Sequence, residues 1–167
     1  MLCARWHKFV AAIVLIAAGP LLTIGAAQAS PSARCTSFHS GANLSYCNLS
    51  GVSLVGKNLS WANFTGAILT RANLTRANLF RANFTLAVLR AANVVRANLS
   101  QGNFTDARLP GADLAGDDLS LAAFYGADLS GVRFAGANLD ATNLASTTLT
   151  HADLLRAELT AVQSGVS

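Results

Sequence analysis

Every fifth residue from Leu44 to Leu159 is large and apolar, with no step missed. These 24 positions hold 18 Leu, five Phe (Phe64, Phe84, Phe104, Phe124, Phe134) and Val94. A period of five suits neither an amphipathic helix, which repeats at 3.6, nor a strand, which repeats at 2. It suits a chain that turns a corner every five residues and buries one large side chain on each side. The flanking positions repeat too. Two residues before each centre Ala occurs 16 times, one before it Asn or Asp occurs 16 times, and one after it Ser or Thr occurs 13 times.

Segments such as Ala72-Asn73-Leu74-Thr75-Arg76 and Ala82-Asn83-Phe84-Thr85 resemble the pentapeptide repeat family, and the resemblance covers residues 42–161. It implies an all-β fold, a right-handed quadrilateral parallel β-helix with four pentapeptides per coil. The centre residue and the small residue two before it would point inward. Stacked coils pair their backbones at about 4.8 Å, so 24 repeats make about six coils and a rod of about 29 Å. No coil buries its apolar face alone, which makes stability a property of neighbours. A period of 20 supports four sides: Leu44, Phe64, Phe84, Phe104 and Phe124 fall on one side, while the series from Leu49 and Leu59 hold only Leu.

The expected layout is a leader over 1–29, an N-terminal cap over 30–43, the β-helix over 44–161 and a tail over 162–167. Arg5, His7 and Lys8 precede an apolar run from Phe9 to Ile24, and Ala27-Gln28-Ala29 offers a small-x-small cleavage site. The run is short of the roughly 20 residues that span a bilayer. Cleavage near Ala29/Ser30 would leave a secreted or periplasmic product with no membrane span. Two cysteines twelve apart in an exported chain favour a Cys35–Cys47 disulfide. The alternative is that Cys47 is simply a small packed residue.

Charge is sparse and polarised. Charged residues are 12% of the chain, about half the usual share. From Ser30 to Thr105 there are seven basic residues and no acid, and from Asp106 onward eight acids and three basic residues. Opposite ends of opposite sign would favour end-to-end self-association, head to tail. Lys57 and Asp117 occupy inward small positions, so either the coil distorts there or the side chains snorkel outward. Pro110 follows Leu109 and requires a site whose N–H is outside the ladder.

No catalytic, cofactor or metal constellation emerges. His39 and His151 lie at opposite ends of the expected rod, and Cys35 with His39 lacks further zinc ligands. Asp113, Asp117, Asp118 and Asp128 lack the Gly-Gly-x-Gly-x-Asp calcium pattern, and read as spaced surface charge. The eight Asn-x-Ser/Thr sequons follow automatically from the repeat. Arg71, Arg76, Arg81, Arg90 and Arg96 would fall on several sides of a four-sided rod, which with export argues against nucleic acid.

The regular outward surface is the polar ladder beside the Phe series: Asn63, Thr65, Asn83, Thr85, Asn103 and Thr105. It is either plain repeat consensus or a face for an ordered repeating partner such as an envelope polymer. The leading expectation is a non-enzymatic exported solenoid that scaffolds or binds an unidentified protein or polymer. The resemblance supplies a second, a DNA mimic acting on gyrase. Members with that role are cytoplasmic, acidic and dimeric through a C-terminal extension. The leader, the +2 charge from Ser30 onward and the short tail argue against it here.

Overall fold

A computed structural model describes residues 35–164; the expected leader and its cleavage site lie outside them. The chain winds in square coils. Parallel backbone pairings join each residue before a centre to the one twenty further on, from Asn43↔Asn63 to Asn143↔Gln163. Side 1 carries Leu44, Phe64, Phe84, Phe104, Phe124 and Leu144; sides 2, 3 and 4 begin at Leu49, Leu54 and Leu59.

The backbone accounting explains the pentapeptide. From His39 to Leu154, each centre carbonyl accepts from the N–H three residues on, closing a turn at every corner. The centre N–H and the N–H two residues after it donate to the next coil, as in Leu44 to the Asn63 carbonyl at 2.8 Å and Tyr46 to the Thr65 carbonyl at 2.8 Å. The N–H before the centre donates back, as in Asn63 to the Ala42 carbonyl at 2.9 Å. Only the N–H just after the centre is left over. The Asn or Asp two residues earlier accepts it: Asn63 Oδ1 takes the Thr65 N–H at 3.0 Å and the Thr65 hydroxyl at 2.6 Å. Consensus Asn and Ser/Thr are therefore the local cap of the one unladdered amide. Pro110 sits at that very position, behind Arg108 rather than Asn, and forfeits no ladder bond.

Each corner also needs a left-handed residue. Positions 41, 46, 51 and onward to 161 all have positive φ: nine are Gly, and the rest, from Tyr46 at 57° to Ala161 at 53°, are not. A turn closed by an i to i+3 bond with positive φ at its third residue only is type II. None of these positions is Val, Ile or Thr, whose branched Cβ tolerates positive φ worst. Gly136 has open space where a Cβ would go, so substitution there isolates the conformational cost. Gly136→Val should destabilise by roughly 2 kcal/mol and Gly136→Arg by less than about 1, as measured by urea denaturation.

The interior is a stack of Leu, Phe and Ala. Phe64, Phe84, Phe104 and Phe124 are buried with parallel rings at centroid spacings of 4.7, 4.8 and 4.7 Å. Phe134 meets Phe124 edge-on at 6.4 Å. Buried Thr142 answers its inward hydroxyl by donating to the Leu139 carbonyl at 2.8 Å.

Lys57 is exposed and its coil undistorted, with the Lys57 N–H still closing the turn to Leu54. Asp117 corrects both alternatives drawn from the sequence. It stays inside, 1% exposed, with its coil intact. Its Oδ1 accepts the Ala97 N–H at 2.8 Å, and Oδ2 has no partner among the described residues. Burial pushes its carboxyl from the ordinary 3.8 up to about 8, opposed by the Ala97 bond and aided by the charge of Asp113. A neutral acid can remain where an ion could not.

At the first coil Cys35 and Phe38 pack against the core, and Cys35 is bonded to the inward-facing Cys47, with Cα atoms 5.6 Å apart. The ladder starts before the expected boundary at 44, since the Gly41 N–H already donates to Ser60, and it runs to Gln163. Closing a short loop of this kind contributes about 3 kcal/mol. Replacing both cysteines by Ser should lower stability by that amount in an equilibrium unfolding experiment.

Candidate functional site

Side 1 is a floor of Asn/Thr pairs between two corner rims. Asn43 with Ser45, Asn63 with Thr65, Asn83 with Thr85 and Asn103 with Thr105 repeat the same pair of bonds through Asn Oδ1. The Thr hydroxyl hydrogens are thus engaged internally, which fixes their rotamers. The Asn Nδ2 groups of side 1 donate to no protein acceptor among the described residues. On side 4 two such amides cross-link coils, Asn78 Nδ2 donating to Asn58 at 3.3 Å and Asn138 Nδ2 to Asp118 at 3.4 Å, and on side 3 the Thr75 hydroxyl donates to Asn93 Oδ1 at 3.2 Å. Side 1 therefore presents evenly spaced amide donors and hydroxyl lone pairs on a stiff backing of stacked Phe rings.

The rim before side 1 is the column Gly41, Trp61, Arg81, Gln101, Leu121. Trp61 is 55% exposed. The Arg81 guanidinium lies over its ring at 4.6 Å from the centroid and over Phe80 at 5.2 Å, while Arg81 Nε donates to Gln101 at 2.6 Å. Phe80 meets Trp61 edge-on at 6.0 Å. The opposite rim holds Tyr46, Gly66, Leu86 and Asp106, with Tyr46 and Leu86 exposed. The sequence identified the floor but not these rims. The twenty-residue period would have placed Trp61, Arg81 and Gln101 in one column.

The basic residues divide by register. Arg71 and Arg90 belong to the corner after side 2, Arg76 and Arg96 to that after side 3, and Arg81 to that after side 4. In the acidic half Asp113 pairs with Arg133 one coil on, at 2.8 Å. The Ser130 hydroxyl and N–H hold the Asp128 carboxyl below its ordinary range. No group of three or more His, Cys, Asp or Glu gathers among the described residues, and no helix there is long and apolar enough to cross a membrane.

These features define a class: a four-sided β-solenoid with a solid apolar core and a patterned polar exterior. The family model for pentapeptide repeats matches residues 42–79, 82–120 and 127–162, in eight copies. The chain belongs to the pentapeptide repeat family, and its fold is that family's right-handed quadrilateral β-helix. Among solved structures it is similar to HetL, a pentapeptide repeat protein involved in heterocyst differentiation regulation in the cyanobacterium Nostoc sp. strain PCC 7120. Identity is 28% over 75% of this chain and 71% of that one, with a TM-score of 0.29. It is similar also to Rfr23 from the cyanobacterium Cyanothece 51142, at 27% identity over 73% and 90% of the two chains, TM-score 0.34. A third is QnrB1, a plasmid-mediated fluoroquinolone resistance protein, at 18% identity over 75% and 82%, TM-score 0.39. No functionally curated protein matches the sequence.

Proposed function

We propose that the protein is an exported, non-enzymatic scaffold, a rod of six coils whose side 1 binds a repeating envelope polymer. The observation that carries this reading is the row of uncommitted Asn amides on side 1, set at the 4.7–4.8 Å spacing of the Phe stack behind them. Side chains already locked by internal bonds lose little freedom on binding, so each contact contributes more of its energy to affinity. Export rests on the basic and apolar leader with its Ala27-Gln28-Ala29 site, and a disulfide near the N-terminus suits an oxidising compartment.

The test is sedimentation with isolated, protein-free cell-wall polymer. Replacing Thr65, Thr85 and Thr105 together by Lys should abolish co-sedimentation while leaving the circular dichroism spectrum unchanged. The position after a centre already accepts Phe80, Arg90 and Tyr125, so bulk and charge there spare the fold. Unaltered co-sedimentation of the triple variant would contradict the reading.

A further inference from the structure

Corner side chains lean toward the following coil. A methyl group added at Gly66 would fall 2.6 Å from the Tyr46 ring, and the Arg96 chain comes as close as 3.5 Å to the corresponding point at Gly116. Arg81 likewise reaches forward to Gln101, and Trp61 is covered by Arg81 on its forward face. One coil behind Trp61 in the same column is Gly41, where a Cβ would meet nothing within 4 Å among the described residues. The indole is thus covered on one face by a stacked cation, packed at a right angle to Phe80, and still 55% exposed, with the space at Gly41 unfilled among the described residues.

The open slot has polar neighbours. The Ser40 and Ser60 hydroxyls bridge the two coils at 2.8 Å. Two residues on from Gly41 and Trp61 are Asn43 and Asn63, at the start of the side 1 floor. His39 stands beside Ser40, whose carbonyl contacts its Nδ1 at 2.8 Å; that nitrogen must carry the hydrogen, which leaves Nε2 of the neutral ring as an acceptor. A rigid, exposed aromatic ring whose chain neighbours carry hydroxyl and amide groups fits a ligand that is apolar on its faces and hydroxylated at its rim.

The geometry points to a pyranose-stacking subsite between Gly41 and Trp61, which seats one sugar ring of a glycan chain whose continuation runs along side 1. This deepens the proposed polymer-binding role and rests on it. Of the occupants an exposed aromatic might take, a sugar matches the polar neighbours and the amide floor that continues from them; an aromatic peptide side chain would leave both unanswered.

Trp6 and Trp61 are the two tryptophans of the chain, so Trp6→Phe makes Trp61 the sole tryptophan of the full-length protein, read by selective excitation at the red edge of its absorption. Titration with soluble β-linked N-acetylglucosamine oligosaccharides should shift its emission saturably. Trp61→Ala should weaken binding, followed by calorimetry, about tenfold, which corresponds to losing one stacked ring. Gly41→Arg is the sharper variant. Arg71, Arg76 and Arg81 already occupy corner sites at φ 55–57°, so the backbone accepts it. Leaning forward, the new guanidinium would fill that space and block the sugar while leaving Trp61 in place. Wild-type affinity in Gly41→Arg would overturn the subsite. So would a silent Trp61 in a protein that still co-sediments with wall polymer, an outcome that leaves the side 1 reading standing. Absence of both signals would overturn both, and saturable binding of an aromatic peptide in place of the oligosaccharides would reassign the slot to protein docking.

Discussion

Asp117→Ala should unfold at higher urea concentration than the parent at pH 8, and the difference should close as the pH falls toward 4. The carboxyl is protonated in the folded chain up to about pH 8, whereas in the unfolded chain it ionises near its ordinary value. Between those two values the folded state holds one proton more than the unfolded state. Stability therefore declines as the pH rises, by about 1.4 kcal/mol per pH unit, and levels off above the folded value. Below about pH 4 both states are protonated and the contribution is flat. Asp128 acts in the opposite sense: its lowered value adds stability that is lost as acid protonates it. Comparing parent and variant at each pH cancels that background. Alanine restores the commonest residue of the inward small position, and the Ala97 N–H keeps its turn bond to Val94 at 3.1 Å. The gain at pH 8 should reach several kcal/mol. A pH-independent difference would mean that Asp117 is not a buried neutral acid.

Phe84→Ala should have the largest destabilising effect of a single truncation, about 3–5 kcal/mol. Phe84 lies between Phe64 and Phe104 with interplanar angles of 2° and 5°. Truncation opens a void in mid-stack and removes both ring contacts. The coils on either side are held apart by their backbone ladder and cannot collapse into the gap. Phe84→Leu should cost much less, because Leu is the usual centre and fills side 1 at Leu44 and Leu144. A scan of urea midpoints over Phe84→Ala, Phe84→Leu and Leu79→Ala checks the order. Equal losses for the two Phe84 variants would show that ring stacking, not volume, governs the side.

Much of this architecture was legible because the period of five is written directly in Leu, Phe and Ala, and the period of 20 in the placing of Phe. The Cys35–Cys47 pairing followed the same kind of arithmetic. Less visible was the reason for Asn and Thr: they cap the single unladdered N–H, which appears only once every backbone bond has been assigned. The corner column had a readable signal in its missing Val, Ile and Thr. Asp117 had none, since residue identity does not say whether a carboxyl will be carried inward neutral or turned outward charged. Nor does it say which way a corner side chain leans, and that direction is what lays Arg81 over Trp61.

Intact mass spectrometry of the protein recovered from the envelope or medium of its own cells tests export itself. The proposed role predicts a chain beginning at Ser30, with Cys35 and Cys47 oxidised to one disulfide. A full-length chain with free thiols, recovered only from the cytosol, would contradict export and with it the binding of an envelope polymer.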